Sequence, residues 1–185
     1  MKKLVLFIII LTAASSGYFI YSSIKNNSEY PGSAISSPTI KSESKYANQG
    51  YEKIPDSLYS NTSITSLDLS NNNIGSLPSE VGKLSRLTSL DVSNNRLKSL
   101  PAEIGKMTQL TLLNASQNEM TDLIAEIGKL KQLETLNLSN NSLTDLPDEL
   151  LQLTNLKTLD LSNNPINPDE IIKLKSNLSS ANIIN

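Results

Sequence analysis

The chain has 185 residues and a formal charge of −2, which leaves no basic excess for a nucleic-acid partner. It holds no cysteine and no histidine, so disulfides, thiolate nucleophiles, cysteine-ligated zinc and the commonest near-neutral general base are excluded. With no tryptophan and two phenylalanines, it has few aromatic anchors.

Lys2 and Lys3 precede an uncharged stretch from Leu4 to Ile24, closed by Lys25. As a helix this stretch would span about 31 Å, close to the hydrocarbon thickness of a bilayer. Residues 1–24 therefore read as a transmembrane signal-anchor, crossing the membrane through residues 4–24. The flanking lysines favour an N-in, single-pass orientation with the rest of the chain outside the cytoplasm. A cleavable secretory signal is the competing reading. Leu4 to Leu11 would be its apolar core and Ala14-Ser15-Ser16 its nearest small-residue cleavage site, and the product would be secreted. Tyr18, Phe19, Ile20 and Tyr21 weigh against cleavage, because a chain starting at Gly17 would expose them.

Residues 25–50 are rich in Ser, Asn, Pro and Gly and show no periodic apolar positions. Such a segment buries too little surface to offset its chain entropy, which predicts a flexible tether about 30 Å from end to end.

Residues 51–185 carry 11 Lys and Arg against 16 Asp and Glu, a net −5. Ile64, Leu87, Leu110, Leu133 and Leu156 open five segments at a constant spacing of 23 residues: ITSLDLSNNNI, LTSLDVSNNRL, LTLLNASQNEM, LETLNLSNNSL and LKTLDLSNNPI. Alternation in Leu67-Asp68-Leu69 and its equivalents puts leucines on one face of a short strand and a polar residue on the other. One such strand cannot bury its leucines alone, but a stack of parallel neighbours can. The asparagine column Asn72, Asn95, Asn118, Asn141 and Asn164 falls where the chain turns away from each strand. Its amides suit the pairing of backbone groups buried by stacking, a structural role rather than a ligand-binding one.

The second half of each unit carries Val81, Ile104, Ile127 and Leu150, then Leu84, Met107, Leu130 and Leu153, as the back of the core. Gly82, Gly105 and Gly128 suggest tight backbone there. Glu80 and Lys83, with Glu103–Lys106 and Glu126–Lys129, read as solvated pairs three residues apart. A half repeat over 51–63 opens the stack on Ile54-Pro55 and Leu58. A cap over 167–185 closes it, with Asn167-Pro168-Asp169-Glu170 as a helix start, Ile171, Leu174 and Leu178 on one helical face, and Ile183-Ile184 as a last strand.

The five segments resemble the leucine-rich-repeat family, whose core is L-x-x-L-x-L-x-x-N-x-L, and Leu77-Pro78-Ser79-Glu80-Val81-Gly82-Lys83-Leu84 is similar to its L-P-x-x-I-x-x-L subclass. The resemblance covers residues 51–185. It implies an α/β solenoid: a curved horseshoe with a short parallel β-sheet on the concave face and short helical or 3-10 segments on the convex face. It implies a non-catalytic, monomeric interaction module without cofactor, whose protein ligand docks on the concave face. Family members that act as ubiquitin ligases carry a separate cysteine-dependent domain, and this chain has no cysteine. A cytoplasmic signalling scaffold fits the subclass equally well but leaves residues 4–24 unexplained.

The expected binding positions are Ser66, Ser89, Leu112, Thr135 and Thr158 in one column, and Asp68, Asp91, Asn114, Asn137 and Asp160 in the next. Ser70, Ser93, Ser116, Ser139 and Ser162 form a third column, with Thr65, Thr88, Thr111, Glu134 and Lys157 flanking. This face is small, polar and nearly uniform, and it lacks the aromatic and arginine side chains that dominate interface hot spots. Neighbouring Asp68 and Asp91 bring too few oxygens for a hard cation, so no metal site is expected. The third repeat departs from the others at Leu112, Ala115, Gln117 and Ile124. Leu112 is apolar where its equivalents are Ser or Thr, and is either a partner anchor or a neutral change in a tolerant array.

Overall fold

The computed structural model describes residues 42–43 and 46–185. The expected anchor over residues 1–24, and the tether as far as residue 41, lie outside the described residues. Among the described residues no helix is long and apolar enough to cross a membrane.

Seven parallel strands stack in sequence order: β1 (Ser42–Glu43), β2 (Ser66–Asp68), β3 (Ser89–Asp91), β4 (Leu112–Asn114), β5 (Thr135–Asn137), β6 (Thr158–Asp160) and β7 (Asn182–Ile184). The register from β2 to β6 pairs each residue with the one 23 positions on, so Ser66 meets Ser89 and Leu67 meets Leu90. Identical columns therefore lie side by side across the sheet. The stack starts upstream of residue 51. Ser42 pairs with Ser66, the Asn48 N–H donates to the Ser70 carbonyl at 3.0 Å, and Tyr46 is buried in the core. The spacing is 24 residues at Ser42–Ser66 but 23 between Asn48 and its equivalent Asn71, so the first turn carries one extra residue after its strand.

Strands β1 to β5 each return through a five-residue 3-10 turn: Asp56–Ser60, Ser79–Lys83, Ala102–Lys106, Ala125–Lys129 and Asp148–Gln152. Pro55, Pro78, Pro101 and Pro147 precede four of these turns in an extended conformation that the pyrrolidine ring presets. Ile124 precedes the other with φ −76° and ψ 149°, almost the −74° and 151° of Pro101. The third repeat thus keeps the backbone path without the ring. The middle residue of each strand from Leu67 to Leu159 and the column Val81, Ile104, Ile127 and Leu150 are sealed between the strands and the 3-10 turns. Each such side chain contributes roughly 2 kcal/mol of burial, available only when a neighbouring turn is present.

Glycine at 82 and 128 is a packing requirement and at 105 a close fit, since none of the three has a left-handed φ. A Cβ on Gly128 would meet the Glu149 carbonyl oxygen at 2.5 Å, and one on Gly82 would meet the Glu103 Cβ at 2.9 Å. The same column holds Tyr59 in the first turn and Leu151 in the last. At the far end Asn167 caps α1 (Pro168–Asn177) by accepting from the Asp169 N–H at 3.0 Å, and α1 buries Ile171 and Leu174.

Tyr59 is 5% exposed, and its hydroxyl has no hydrogen-bond partner among the described residues. Burial, with the Asp56 and Glu80 carboxylates adding to it, pushes the phenol pKa well above its ordinary value. The fold therefore disfavours the phenolate. The stability associated with this group is complete below the unfolded pKa of about 10 and is lost as pH rises above it.

Two predictions come from this packing. Gly128→Ala should lower stability by about 1–3 kcal/mol, because backbone rather than a flexible side chain blocks the methyl group. Gly75→Ala, with nothing within 4 Å of the added atom, should be neutral or raise stability by about 0.4–1 kcal/mol. Urea denaturation of the two variants checks the contrast, and equal midpoints would contradict it. Tyr59→Phe should leave stability at pH 7 unchanged or higher by up to about 1 kcal/mol. It should also reduce the loss of stability above about pH 10. Thermal melts at pH 7 and pH 10.5 measure both effects, and an unaltered alkaline loss would count against the buried, unpaired phenol.

Candidate binding face

The outward positions of the strands form two half-exposed columns. The first holds Ser66, Ser89, Leu112, Thr135 and Thr158, and the second holds Asp68, Asp91, Asn114, Asn137 and Asp160. The in-register sheet brings the members of each column onto adjacent strands.

The second column has a structural task of its own. Asp68 Oδ1 accepts from the Ser70 N–H at 2.9 Å and from its hydroxyl at 2.7 Å. The same two bonds recur at Asp91–Ser93, Asn114–Ser116, Asn137–Ser139 and Asp160–Ser162. These side chains fold the strand end into a turn, which Asp and Asn do equally well because either offers a carbonyl-type oxygen. The serine column is consumed in the process: Ser70, Ser116 and Ser139 are buried. The open face is thus two columns wide at its centre, narrower than the three columns expected from alternation. What the second column still offers outward is its other atom. Asn114 Nδ2 donates to Asp91 Oδ2 at 3.0 Å, whereas Oδ2 of Asp68 and of Asp160 accepts no hydrogen bond among the described residues.

Beside the face run two asparagine columns. In the inner one, Asn95 Oδ1 accepts from the Ile74 N–H at 3.0 Å, while its amide donates to the carbonyls of Leu69 and Val92, both at 3.0 Å. Asn118, Asn141 and Asn164 repeat this pattern on Leu97, Met120 and Leu143. Asn72 does the same toward the first turn, accepting from Gln49 and Tyr51 and donating to the Tyr46 carbonyl. The outer column, Asn71, Asn94, Gln117, Asn140 and Asn163, adopts a left-handed backbone with φ between 52° and 57°. Sequence reading missed this second column, although the paired asparagines of S-N-N carry its signal: asparagine tolerates that region better than other non-glycine residues. Its exposed amides also link across turns, Asn94 to Asn71 at 2.6 Å and Asn163 to Asn140 at 2.9 Å, and the links skip Gln117.

On the opposite side a shallow depression of about 340 Å³ is lined by Ser79, Glu80, Gly82, Lys83, Glu103 and Lys106. Glu103 and Lys106 stand 3.9 Å apart, and hydrogen bonds from its own backbone N–H and from Ser79 hold the Glu80 carboxyl below its ordinary pKa. Among the described residues no group of three or more acidic side chains is placed to hold a metal ion.

Two family models match the chain. The one described as leucine rich repeat covers residues 62–120, and the one described as leucine rich repeats in two copies covers residues 131–176. No curated protein sequence gives a significant match. Among solved structures, a leucine-rich-repeat protein of Leptospira interrogans is 31% identical with a TM-score of 0.60, over 73% of this chain and 40% of that one. An internalin, inlF, of Listeria monocytogenes is 31% identical with a TM-score of 0.63, over 72% of this chain and 38% of that one. The plant peptide hormone receptor RGFR1, solved in complex with RGF2, is 36% identical with a TM-score of 0.61, over 71% of this chain and 22% of that one. The chain thus spans two fifths or less of the length of each of these structures.

The outer asparagine column yields a prediction at its irregular member. Gln117→Asn should stabilise the chain by a few tenths of a kcal/mol to about 1 kcal/mol, since it eases the left-handed backbone and offers a third amide link. A thermal melt showing no gain would mean that glutamine bears this conformation as easily as asparagine.

Proposed function

Because the chain belongs to the leucine-rich-repeat family, we propose that it is a non-catalytic protein-interaction module, displayed outside the cytoplasm on a single-pass N-terminal anchor and binding through its sheet face. One observation carries the binding part of this reading. The inward strand residues are sealed, while the outward ones stand half-exposed in register, with Leu112 in their midst. Leu112 is the one apolar side chain among the hydroxyls of its column from β2 to β6, and in this reading it anchors the partner. The complex of a plant receptor with its peptide hormone, among the similar structures, is consistent with a polypeptide ligand. The uncharged stretch from Leu4 to Ile24 supports the anchor, and the lysines before it support the outward orientation of the repeats. The absence of cysteine and histidine from the sequence supports a binding role over a catalytic one.

Fractionation of cells expressing the full chain, followed by N-terminal sequencing and external protease treatment, tests the placement. Residues 1–24 should remain intact in the membrane fraction, with the repeats cleavable from outside. Recovery of a soluble chain that begins near Gly17 would replace the anchor by a cleaved signal. For the binding reading, Leu112→Ser should reduce recovery of a cross-linked partner several-fold, while Lys83→Ala on the opposite side should not. Equal recovery with both variants would remove the sheet face as the binding surface.

A further inference from the structure

We propose that the sheet face recognises an extended cationic polypeptide segment, with basic side chains set three residues before and three residues after an apolar one. The inference rests on the sheet face being the binding surface and adds the chemistry of what it takes.

The argument is one of charge and spacing. The two outward columns and the flanking column carry four carboxylates, at Asp68, Asp91, Asp160 and Glu134, and one cation, Lys157. Lys157 is paired with Glu134 at 2.7 Å, which cancels that carboxylate and leaves the three aspartates. Asp91 Oδ2 already accepts from Asn114, so the least committed carboxylates are Asp68 on β2 and Asp160 on β6. Leu112 is on β4, two strands from each. Across β2, β4 and β6 the face therefore reads acid, apolar, acid, with two strand spacings, about 9.6 Å, between successive features, and exposed Ile184 on β7 lies beyond Asp160.

A ligand crossing the strands must repeat at that interval on one side of itself. A β-conformation does not, because residues three apart point to opposite faces. A polyproline II segment does: three residues make one turn and advance about 9.3 Å. The pattern basic-x-x-apolar-x-x-basic in that conformation sets its apolar residue on Leu112 and its two cations toward Asp68 and Asp160. The aspartates sit two residues farther along their strands than Leu112 does, an offset that a Lys or Arg side chain spans.

The test uses the purified full chain and synthetic fluorescent peptides, read by anisotropy. Lys-Pro-Pro-Leu-Pro-Pro-Lys should bind at least tenfold more tightly than its charge-reversed counterpart Glu-Pro-Pro-Leu-Pro-Pro-Glu, with affinity falling as salt rises. Asp68→Asn combined with Asp160→Asn should abolish that preference, and Leu112→Ser should weaken both peptides. Folding is not at risk in these variants, since asparagine already occupies the same column at Asn114 and Asn137, and serine the same column as Leu112 at Ser66 and Ser89. Equal binding of the two peptides, or a preference that survives the double aspartate substitution, overturns the inference. If a cellular partner is lost with Leu112→Ser but is indifferent to the aspartate substitutions, the sheet face remains the binding surface and the cationic segment is refuted.

Discussion

Stacking one chain turn on the next brings backbone N–H and C=O groups into the interior where the strand ends and the chain bends away, and no regular ladder pairs them there. The inner asparagine column resolves this constraint. Each amide accepts from an N–H 21 residues earlier and donates to carbonyls 26 and 3 residues earlier, so it joins its own turn to the one before. A net hydrogen bond contributes only about 1 kcal/mol, but each buried group left unpaired costs about 1–3 kcal/mol. The constant spacing from Asn72 to Asn164 sets every asparagine against the same groups of the turn before it. Two turns depart from it, Ser42 to Ser66 and Thr158 to Asn182: the first carries its extra residue before the point where Asn72 meets Gln49 and Tyr51, and the second follows the last asparagine of the column, Asn164, and runs through α1.

The remaining regularities build on this register. With turns held in step, the strand leucines align and seal, and the 3-10 turns on the other side close until an added Cβ would collide at Gly82 and Gly128 and fit only tightly at Gly105. With strands in step, outward side chains fall into columns. A face of repeated Ser, Thr, Asp and Asn is then a consequence of stacking like on like, and any recognition must come from departures such as Leu112 or from the uneven placement of Asp68, Asp91 and Asp160.

Much of this was legible from the residues, because buried leucines and a paired amide recur at fixed spacing and few architectures bury such a pattern. Three features were not. The Asp–Ser turns were hidden because Asp68 and Ser70 are polar whether they face solvent or each other. The left-handed column was hidden because Asn71 and Asn72 look alike in sequence, although one sets the backbone and the other pairs it. The strand over Ser42–Glu43 was hidden because a two-residue strand in a serine-rich segment has no apolar alternation, and only buried Tyr46 marks it. In the candidate site the columns were readable, but which of their polar atoms were already committed was not, since that depends on contacts two residues away.

The central claim is that the inner asparagines hold the turns in register. Amide hydrogen exchange on Asn95→Ala tests it most directly. The substitution removes the acceptor of the Ile74 N–H and the donor to the Leu69 and Val92 carbonyls. The account predicts that Ile74 loses its protection, that the strands β2 and β3 exchange faster with it, and that global stability falls by at least about 2 kcal/mol. An Asn95→Ala chain with Ile74 still protected and its stability unchanged would show that leucine packing alone sets the register.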